Sequence, residues 1–221
     1  MIYIAHKKSK LDNLKLKYPN AHIMDLTSKA REPYIKFSPF YPHGRIPVPF
    51  SSGTFAESVE GIWQGLKVFE NEGIDQSRFF IKNMKGLKRT IRVKGKILGH
   101  QKGVDGIELM KYLDARLDIY LPTYKYVLDE YLVEYVEKLT TASKTKDLVF
   151  LDYETNCLVG KNKPLSHAFL VKAYLEGNYP TRDNYSMLDE AISLIEKPKK
   201  STQAVKSKTK VTDKTQQIKL F

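Results

Sequence analysis

The stretch DLVFLDYET, residues 147–155, places four consecutive apolar side chains directly before acidic ones. A short apolar run bounded by polar residues predicts a strand that is buried on both faces, at the centre of a sheet. Acids at the carboxyl end of such a strand often reach a cleft. Because side chains alternate along a strand, we expect Asp152, Glu154 and Asn156 to share one face. The alternative is that these three only cap the following turn.

The start of the chain predicts a β-α-β element within residues 1–30. IYIAH (2–6) and AHIMDLT (21–27) have the composition of strands, and the leucines between them have helical spacing up to Pro19. Five prolines between residues 28 and 54 then preclude a long helix and favour an ordered loop.

Helical patterns dominate the remainder of the chain. The next helix is predicted from near Phe55 to about Asn71, capped by Thr54 or Ser52. Later helices are predicted over 106–120, over 122–143 after a break at Pro122, over 164–177, and over part of 178–196. The sequence thus predicts an α+β (mixed α/β) fold, compact and predominantly helical around a small sheet, with one domain spanning residues 1–196.

The segment SVEGIWQGLK, residues 58–67, carries polar side chains at helical spacing. Glu60, Gln64 and Lys67 fall on one narrow arc beside an apolar arc. Gly61 and Gly65 lie one turn apart, which suggests that another backbone or a flat ligand packs closely there. The polar arc either lines a pocket or is a solvated face.

The loop FSPFYP (37–42) followed by SVEGIWQGLKVFE (58–70) resembles the signature of the NADAR family (NAD- and ADP-ribose-associated), which includes N-glycosidases linked to riboflavin biosynthesis. Members carry an F-S-x-F-Y-P-like loop before an S-V-E-H-x-Y-Q-x-x-K-like helix. The matching positions are Phe37, Ser38, Phe40, Tyr41, Pro42, Ser58, Val59, Glu60, Gln64 and Lys67. Gly61 stands where His is common, and no Asp-x-x-Trp-Gly-like segment follows the strand, so the chain is similar to a divergent member.

The resemblance implies cleavage of an N-glycosidic bond between a ribose and an amine or base. That reaction needs a carboxylate to stabilise an oxocarbenium-like ribose and a carboxylate to deprotonate a water. Glu60 is the first candidate, and Lys67 could lower its pKa or contact the substrate. Asp152 and Glu154 are the further catalytic candidates.

Substrate contacts are expected from aromatic, amide and basic side chains. Aromatic rings could stack on a base, amides could orient a ribose, and cations could hold phosphates. The candidates are Phe40, Tyr41, His43, Trp63, Gln64, Arg45, Arg89 and Asn156. Lys88 and Arg92 are further phosphate candidates, and a solvated basic face is an equal alternative for each cation. No metal-ligand spacing and no glycine-rich phosphate loop occurs, so neither metal nor cofactor is predicted.

The net charge of +12 is concentrated at the end of the chain, since residues 197–221 contain eight Lys and one Asp. This excess predicts a polyanionic partner, either nucleic acid or a phosphate-bearing ligand. The polar composition of residues 197–221 predicts a disordered basic tail. Its last residues, Gln217, Ile218, Leu220 and Phe221, are similar to the short peptide by which bacterial DNA enzymes dock on the sliding clamp. The alternative is an arbitrary hydrophobic terminus.

Cys157 is the only cysteine, which excludes an intramolecular disulfide and suits a reducing cytoplasm. No apolar run is long enough for a signal peptide or a membrane span, so no membrane partner is predicted. No pattern bears on the oligomeric state.

Within the family that the chain resembles, the basic charge and the clamp-like tail favour an N-glycosidase that removes ADP-ribose from modified guanine in nucleic acid, as a DNA-repair or antitoxin activity. Two alternatives stay open. One is the same chemistry on riboflavin-pathway intermediates or another small ribosylated metabolite. The other is a non-catalytic module that binds ADP-ribose or DNA.

Overall fold

Short strands and helices alternate along the chain, which the structure, a computed structural model, describes from residue 1 to residue 196. The strands are β1 (Ile2–His6), β2 (His22–Asp25), β3 (Ile46–Pro47), β4 (Phe55–Ala56), β5 (Lys67–Phe69), β6 (Ile97–Gln101), β7 (Leu109–Met110) and β8 (Leu148–Asp152). The helices are α1 (Leu11–Lys17), α2 (Val59–Gly65), α3 (Ile91–Lys94), α4 (Tyr112–Ala115), α5 (Leu121–Glu130), α6 (Val133–Thr145), α7 (His167–Leu175) and α8 (Tyr185–Glu196). The fold is mixed α+β, as predicted.

A three-stranded parallel sheet, in the order β1-β8-β2, has β8 at its centre. Every residue of β8 is buried, because strands flank it on both edges and helices cover both faces. The predicted central strand is confirmed, although it ends at Asp152 rather than Thr155. The predicted strands at the start of the chain are also confirmed, but β8 separates them, so the β-α-β element is completed by a strand from far along the sequence.

The two faces of this sheet pack against different parts of the chain. On one face, Leu14 of α1 contacts Val149 and Leu151 in a small apolar cluster. On the other face, Phe150 joins the main core, which includes residues of α2, α5 and α7. The residues that follow β8 therefore emerge beside α7, at the edge of the main core.

The two glycines of α2 allow a 3-10 turn at Gln76–Phe80 to pack directly on the helix. A Cβ on Gly61 would lie 2.8 Å from the Arg78 carbonyl oxygen, and one on Gly65 would lie 2.2 Å from a ring carbon of Phe79. The close neighbour inferred from the sequence is thus this turn, not a flat ligand.

The predicted helix over residues 55–71 is too long at both ends. It begins after Ser58, whose Oγ accepts from the Gly61 amide over 3.0 Å, so neither Thr54 nor Ser52 is the cap. It ends at Gly65, because the residues from Lys67 onward form β5 and pair with β6. Because the partner strand lies thirty residues later, no local sequence pattern predicts β5.

The helical region after residue 106 differs from the prediction in a similar way. Residues 109–110 form β7, and helical structure then continues from α4 through a π-helical turn, Arg116–Tyr120, into α5. Pro122 does not break this run, and it lies in the first turn of α5, directly after the π-helical turn. The predicted helix over 122–143 instead breaks between α5 and α6, where Leu132 is fully buried in the core.

No helix in residues 1–196 is long and apolar enough to cross a membrane. The predicted disordered tail and its clamp-like peptide lie outside the described residues.

Candidate functional site

A cleft of about 900 Å³ opens where α2, the π-helical turn, the end of β8 and the start of α7 meet. A volume of this size accommodates a nucleotide-sized ligand. The predicted residues that line it are Phe40, Glu60, Trp63, Gln64, Lys67, Lys88, Asp152 and Glu154. The structure therefore brings together the polar arc of α2 and the acids after the central strand, although some ninety residues separate them in the sequence.

Gln64 links Glu60 to Lys67 through its side-chain amide. Its Nε2 donates to Glu60 Oε1 over 2.8 Å, and its Oε1 accepts from Lys67 Nζ over 3.2 Å and from the Arg89 backbone N–H over 3.2 Å. Because two donors fix the oxygen, the amide nitrogen must face the carboxylate. These three side chains are between 5% and 8% exposed, so they form a buried polar chain and not a solvated face.

Burial controls the protonation of both ends of this chain. It raises the pKa of Glu60 above its ordinary value of 4.5, against the opposing effects of the Gln64 hydrogen bond and the charges of Lys67 and Lys88. Burial also lowers the pKa of Lys67 from its ordinary 10.5, and the charge of Glu60 partly offsets that. Perturbed acid and amine groups that share a cleft are typical of functional sites.

Arg89 holds the end of α2 in place and does not line the cleft. Its Nη1 donates to the carbonyl oxygens of Gln64 (3.0 Å) and Lys67 (2.6 Å), and its Nη2 donates to that of Gly73 (2.6 Å). Nη2 also lies 2.9 Å from Glu72. Since the guanidinium satisfies carbonyls that the helix leaves unpaired, the expected phosphate contact is replaced by a structural role.

Asp152 lines the cleft with both carboxylate oxygens engaged. Its Oδ1 accepts from the Tyr153 N–H (2.7 Å), and its Oδ2 accepts from Ser166 Oγ (2.7 Å) and the Ala168 N–H (3.4 Å). His167 Nδ1 lies 3.2 Å from Oδ2. These donors hold the carboxylate group of Asp152 in one orientation, next to the first residues of α7.

His167 completes this arrangement from the first position of α7. Its Nε2 lies 2.6 Å from the Leu26 carbonyl oxygen, which can only accept, so Nε2 carries a proton. The ring is therefore held between the Leu26 carbonyl and the Asp152 carboxyl. Sequence analysis did not select His167, because a single histidine beside a helix carries no specific pattern.

Glu154 and Asn156 belong to the loop after β8, not to the strand itself. Glu154 Oε1 accepts from the backbone N–H groups of Thr155 (2.9 Å) and Asn156 (2.8 Å), and its Oε2 accepts no hydrogen bond from the described residues. The Asn156 side chain donates to Leu158 and Pro164 carbonyls and lies outside the cleft. Asn156 therefore only caps the turn, which was the alternative considered in the sequence. Glu154 both caps the turn and lines the cleft.

Trp63 forms an aromatic wall that other rings hold in place. The His100 ring lies 3.7 Å from it between centroids, and Tyr112 and Tyr120 meet it edge-on at 5.8 and 5.5 Å. Burial lowers the pKa of His100 to about 3, so this imidazole is neutral and adds no charge beneath the tryptophan. Burial, with the charges of Glu60 and Asp152, also raises the pKa of Tyr120, which keeps its hydroxyl protonated.

Two exposed lysines lie over aromatic rings at the cleft. Lys88 Nζ is 5.4 Å from the Phe40 ring centroid, and Lys29 Nζ is 6.0 Å from that of Tyr153. All four residues line the cleft. Such pairs combine a stacking face with a cation, which suits a ligand with a base and phosphates.

Three other predicted contacts lie outside the cleft. The Tyr41 hydroxyl donates to Glu32 (3.3 Å), and His43 bonds to the Lys36 carbonyl (2.9 Å), so both hold the loop they belong to. Arg45 is exposed, and its guanidinium lies 4.5 Å from the Phe55 ring. Of the aromatic loop, only Pro39 and Phe40 reach the cleft, because the Glu60 N–H donates to the Pro39 carbonyl over 2.8 Å.

Arg116 lines the cleft from the π-helical turn and was not predicted. It donates to the carbonyls of Val159, Lys161 and Lys163 and to the Tyr112 hydroxyl, and is 2% exposed. π-Helical turns occur frequently at functional sites, but no sequence pattern marks this one.

Among the described residues, no three His, Cys, Asp or Glu side chains are grouped as metal ligands would be. A comparison with curated proteins gives no match for the chain. A family model matches residues 6–171, which extend from β1 into α7 and include every residue of the cleft named above. The chain therefore belongs to a family of unknown function, DUF6939.

Proposed function

We propose that the cleft hydrolyses the N-glycosidic bond of a ribosylated base, and that its substrate is ADP-ribosylated guanine in nucleic acid. The observation that carries the proposal is Glu60, a buried carboxyl at a nucleotide-sized cleft with one oxygen fixed by Gln64. The resemblance of the flanking sequence to NADAR N-glycosidases supports this choice of reaction.

In the proposed reaction the C1′–N bond breaks, and its electron pair leaves with the base nitrogen. A water oxygen forms the new bond to C1′, its proton passes to a carboxylate, and an acid protonates the departing base. Glu60 suits the acid, because its raised pKa keeps the carboxyl protonated to higher pH than usual. Glu154 suits the base, because its Oε2 is left without a partner in the described residues.

Asp152 has a different part in this scheme. Its oxygens are held by Ser166, His167 and two backbone amides, so it is not placed to take up a proton. A fixed anion beside the cleft stabilises positive charge that develops on the ribose as the bond breaks. Asp152 would then act electrostatically, without forming or breaking bonds.

The walls of the cleft supply contacts of the kind that an ADP-ribosyl group needs. Trp63 and Phe40 offer faces for a base, and Lys29 and Lys88 offer cations for phosphates. Lys67 could contact a ribose hydroxyl or phosphate once a ligand excludes water from the cleft.

The test is to incubate the protein with ADP-ribosylated DNA, ADP-ribosyl adducts of small molecules and ribosylated pyrimidines, and to score released products by mass spectrometry. We expect free ADP-ribose and intact guanine from the DNA. Glu60→Gln should slow release at least about 100-fold while binding is retained. The matched control is Glu130→Gln, because Glu130 is exposed and does not line the cleft.

Other outcomes would contradict the proposal in different ways. If the protein released a base only from ribosylated pyrimidines, its substrate would be a small metabolite and not nucleic acid. A wild-type protein that binds ADP-ribose but releases nothing from any substrate would instead identify a non-catalytic module.

A further inference from the structure

The segment from residue 76 to residue 104 is strongly basic, since it contains no Asp or Glu. Its cations are Arg78, Lys82, Lys85, Lys88, Arg89, Arg92, Lys94, Lys96 and Lys102. The surrounding fold divides these into two groups. Four are paired with acids from outside the segment: Arg78 with Asp75, Arg89 and Lys94 with Glu72, and Lys102 with Glu108.

The other five cations have no ion-pair partner among residues 1–196. They are Lys82, Lys85, Lys88, Arg92 and Lys96, and all of them are exposed. Five unpaired like charges within fifteen residues repel one another, so they favour a bound polyanion. We name these five the cationic track.

The loop that carries Lys82, Lys85 and Lys88 forms part of the cleft wall. Met84, Gly86, Leu87 and Lys88 line the cleft wall, and Lys88 lies over the ring of Phe40. A chain that follows the track would therefore arrive at the aromatic and acidic walls described above.

Two paired arginines hold the loop that carries the first half of the track. Arg78 Nη1 donates to the Gly86 carbonyl over 2.5 Å, and the buried Arg89 fixes the other end of the loop against α2. Lys82 and Lys85 thus project from a loop that is tied down on both sides. A preorganised spacing of cations lowers the entropy cost of binding a phosphate backbone.

Exposed apolar side chains accompany the cations. Phe80 is 66% exposed, and Ile91 and Val93 on α3 are 63% and 72% exposed. A membrane or an acidic peptide would meet the same charges, but the adjoining cleft is large enough for a nucleotide-sized group, and a base in a nucleic acid must be unstacked to enter it. Unpaired bases can stack on the exposed ring of Phe80 and on the ring of Phe40 in the cleft wall, whereas a duplex keeps its bases inside.

We propose that the cationic track binds single-stranded nucleic acid and guides one nucleotide of the strand into the cleft. The identity of that nucleotide rests on the proposed function, whereas binding of the strand to the track does not depend on it.

The test compares two variants of the full chain that lose four cations each. The track variant is Lys82→Ala/Lys85→Ala/Arg92→Ala/Lys96→Ala. It spares Lys88 in the cleft, whereas Arg92, a phosphate candidate in the sequence, does not line the cleft. The control variant is Lys8→Ala/Lys10→Ala/Lys15→Ala/Lys144→Ala, since these lysines are exposed, lack ion pairs in the described residues and do not line the cleft. Both variants keep residues 197–221, so the basic tail contributes equally.

Binding of an unmodified single strand of about 20 nucleotides is measured by fluorescence anisotropy between about 50 and about 200 mM salt. We expect the track variant to bind at least about 10-fold more weakly than the control. Its slope of log affinity against log salt should be shallower than that of wild type by about 3, because each phosphate contact on a single strand contributes about 0.7. Equal losses in the two variants, or tighter binding of duplex DNA or phosphatidylserine vesicles than of the single strand, would overturn the proposal.

A second measurement separates this proposal from the proposed reaction. The track variant should hydrolyse a small ADP-ribosyl nucleoside as fast as wild type and lose rate only on a modified strand. If the wild type hydrolyses no substrate while the track variant still loses strand binding, the surface stands and the reaction fails. If the wild type hydrolyses the strand and both variants match it, the surface fails and the reaction stands.

Discussion

The side-chain amide of Gln64 donates to Glu60 Oε1 over 2.8 Å, and this bond orients the carboxyl at the cleft. The same amide accepts from Lys67 and from the Arg89 backbone, so it satisfies buried groups on both sides. Replacing Gln64 with leucine would leave a buried ammonium and an N–H without their acceptor.

We therefore expect Gln64→Leu to lower the free energy of unfolding by about 1–3 kcal/mol, the usual cost of an unsatisfied buried polar group. Loss of the hydrogen bond should also raise the pKa of Glu60 further, because that bond favours the ionised form. Urea unfolding measures the first effect. Gln76→Leu, at an exposed position, is the control, and an equal loss in both variants would contradict this assignment.

Gly65 is required because the Phe79 ring occupies the space of a Cβ. Although alanine favours a helix, Gly65→Ala should destabilise the protein by about 1–3 kcal/mol through overpacking. Gly73→Ala is the matched control, since nothing lies within 4 Å of its Cβ position. Thermal unfolding of both variants, and of Gly65→Ala/Phe79→Leu, measures the effect. Failure of the smaller side chain at position 79 to restore stability would argue against the steric explanation.

The pH dependence of stability follows from the buried carboxyl of Glu60. Its pKa is raised in the folded state, so its contribution to stability is fully present below pH 4.5 and is lost as pH rises through the folded-state pKa. Lys67 has the opposite effect, because its pKa is lowered in the folded state. The free energy of unfolding therefore rises with pH between that lowered pKa and the ordinary value of 10.5. The two effects occur in different pH ranges, and the range for Glu60 begins at the lower pH.

Relative to Glu60→Gln, the wild type should lose stability with rising pH above about 4.5, by up to about 1.4 kcal/mol per pH unit inside the window. Urea unfolding at a series of pH values gives this difference, and Glu130→Gln should track the wild type throughout. Parallel curves for wild type and Glu60→Gln would show that the carboxyl is hydrated.

The features that could be predicted from the sequence are those that burial imposes as a local pattern of apolar and polar residues. The apolar run of β8 and the arc formed by Glu60 and Gln64 are local patterns, and the structure has both. The acids after β8 also reach the cleft, because strand ends meet at an edge of the sheet. These features depend on periodicity, which a single sequence records.

What could not be predicted depends on distant partners. Lys67 was assigned to a helix but begins β5, because β6 supplies its hydrogen bonds. Arg89 resembles a phosphate contact in the sequence, yet it caps α2 because its guanidinium reaches carbonyls of that helix. Arg116 was missed because the three carbonyls that it contacts lie between residues 159 and 163. Each outcome was set by tertiary contacts without local signals.

The clamp-like peptide yields a prediction from sequence alone, since residues 217–221 lie outside the described part of the chain. Deletion of these residues should abolish binding to a bacterial sliding clamp, because the peptide resembles the docking motif. Hydrolysis of a small ribosylated substrate should not change. Surface plasmon resonance with immobilised clamp measures binding. The control replaces Lys219, the position that the motif leaves open, with alanine; clamp binding that survives the deletion would end the idea.

Asp189 on α8 supports the cleft indirectly through Arg116. Its carboxylate accepts from the N–H groups of Val159 and Gly160, each over 2.7 Å, and the Val159 carbonyl accepts from Arg116. Loss of this carboxylate should loosen the loop that holds the guanidinium in place. We therefore expect Asp189→Ala to weaken binding of ADP-ribose about 5- to 10-fold, equivalent to roughly 1–1.4 kcal/mol.

Trp63 is the only tryptophan and lines the cleft, so its fluorescence reports ADP-ribose binding in this variant. Amide hydrogen exchange at Val159 and Gly160 measures the loop directly and should accelerate in Asp189→Ala. Asp183→Ala is the control, because Asp183 is exposed and forms no ion pair within residues 1–196. Faster exchange with unchanged ADP-ribose affinity would show that the loop does not position Arg116 for the ligand. Unchanged exchange would show that Asp189 does not hold the loop at all.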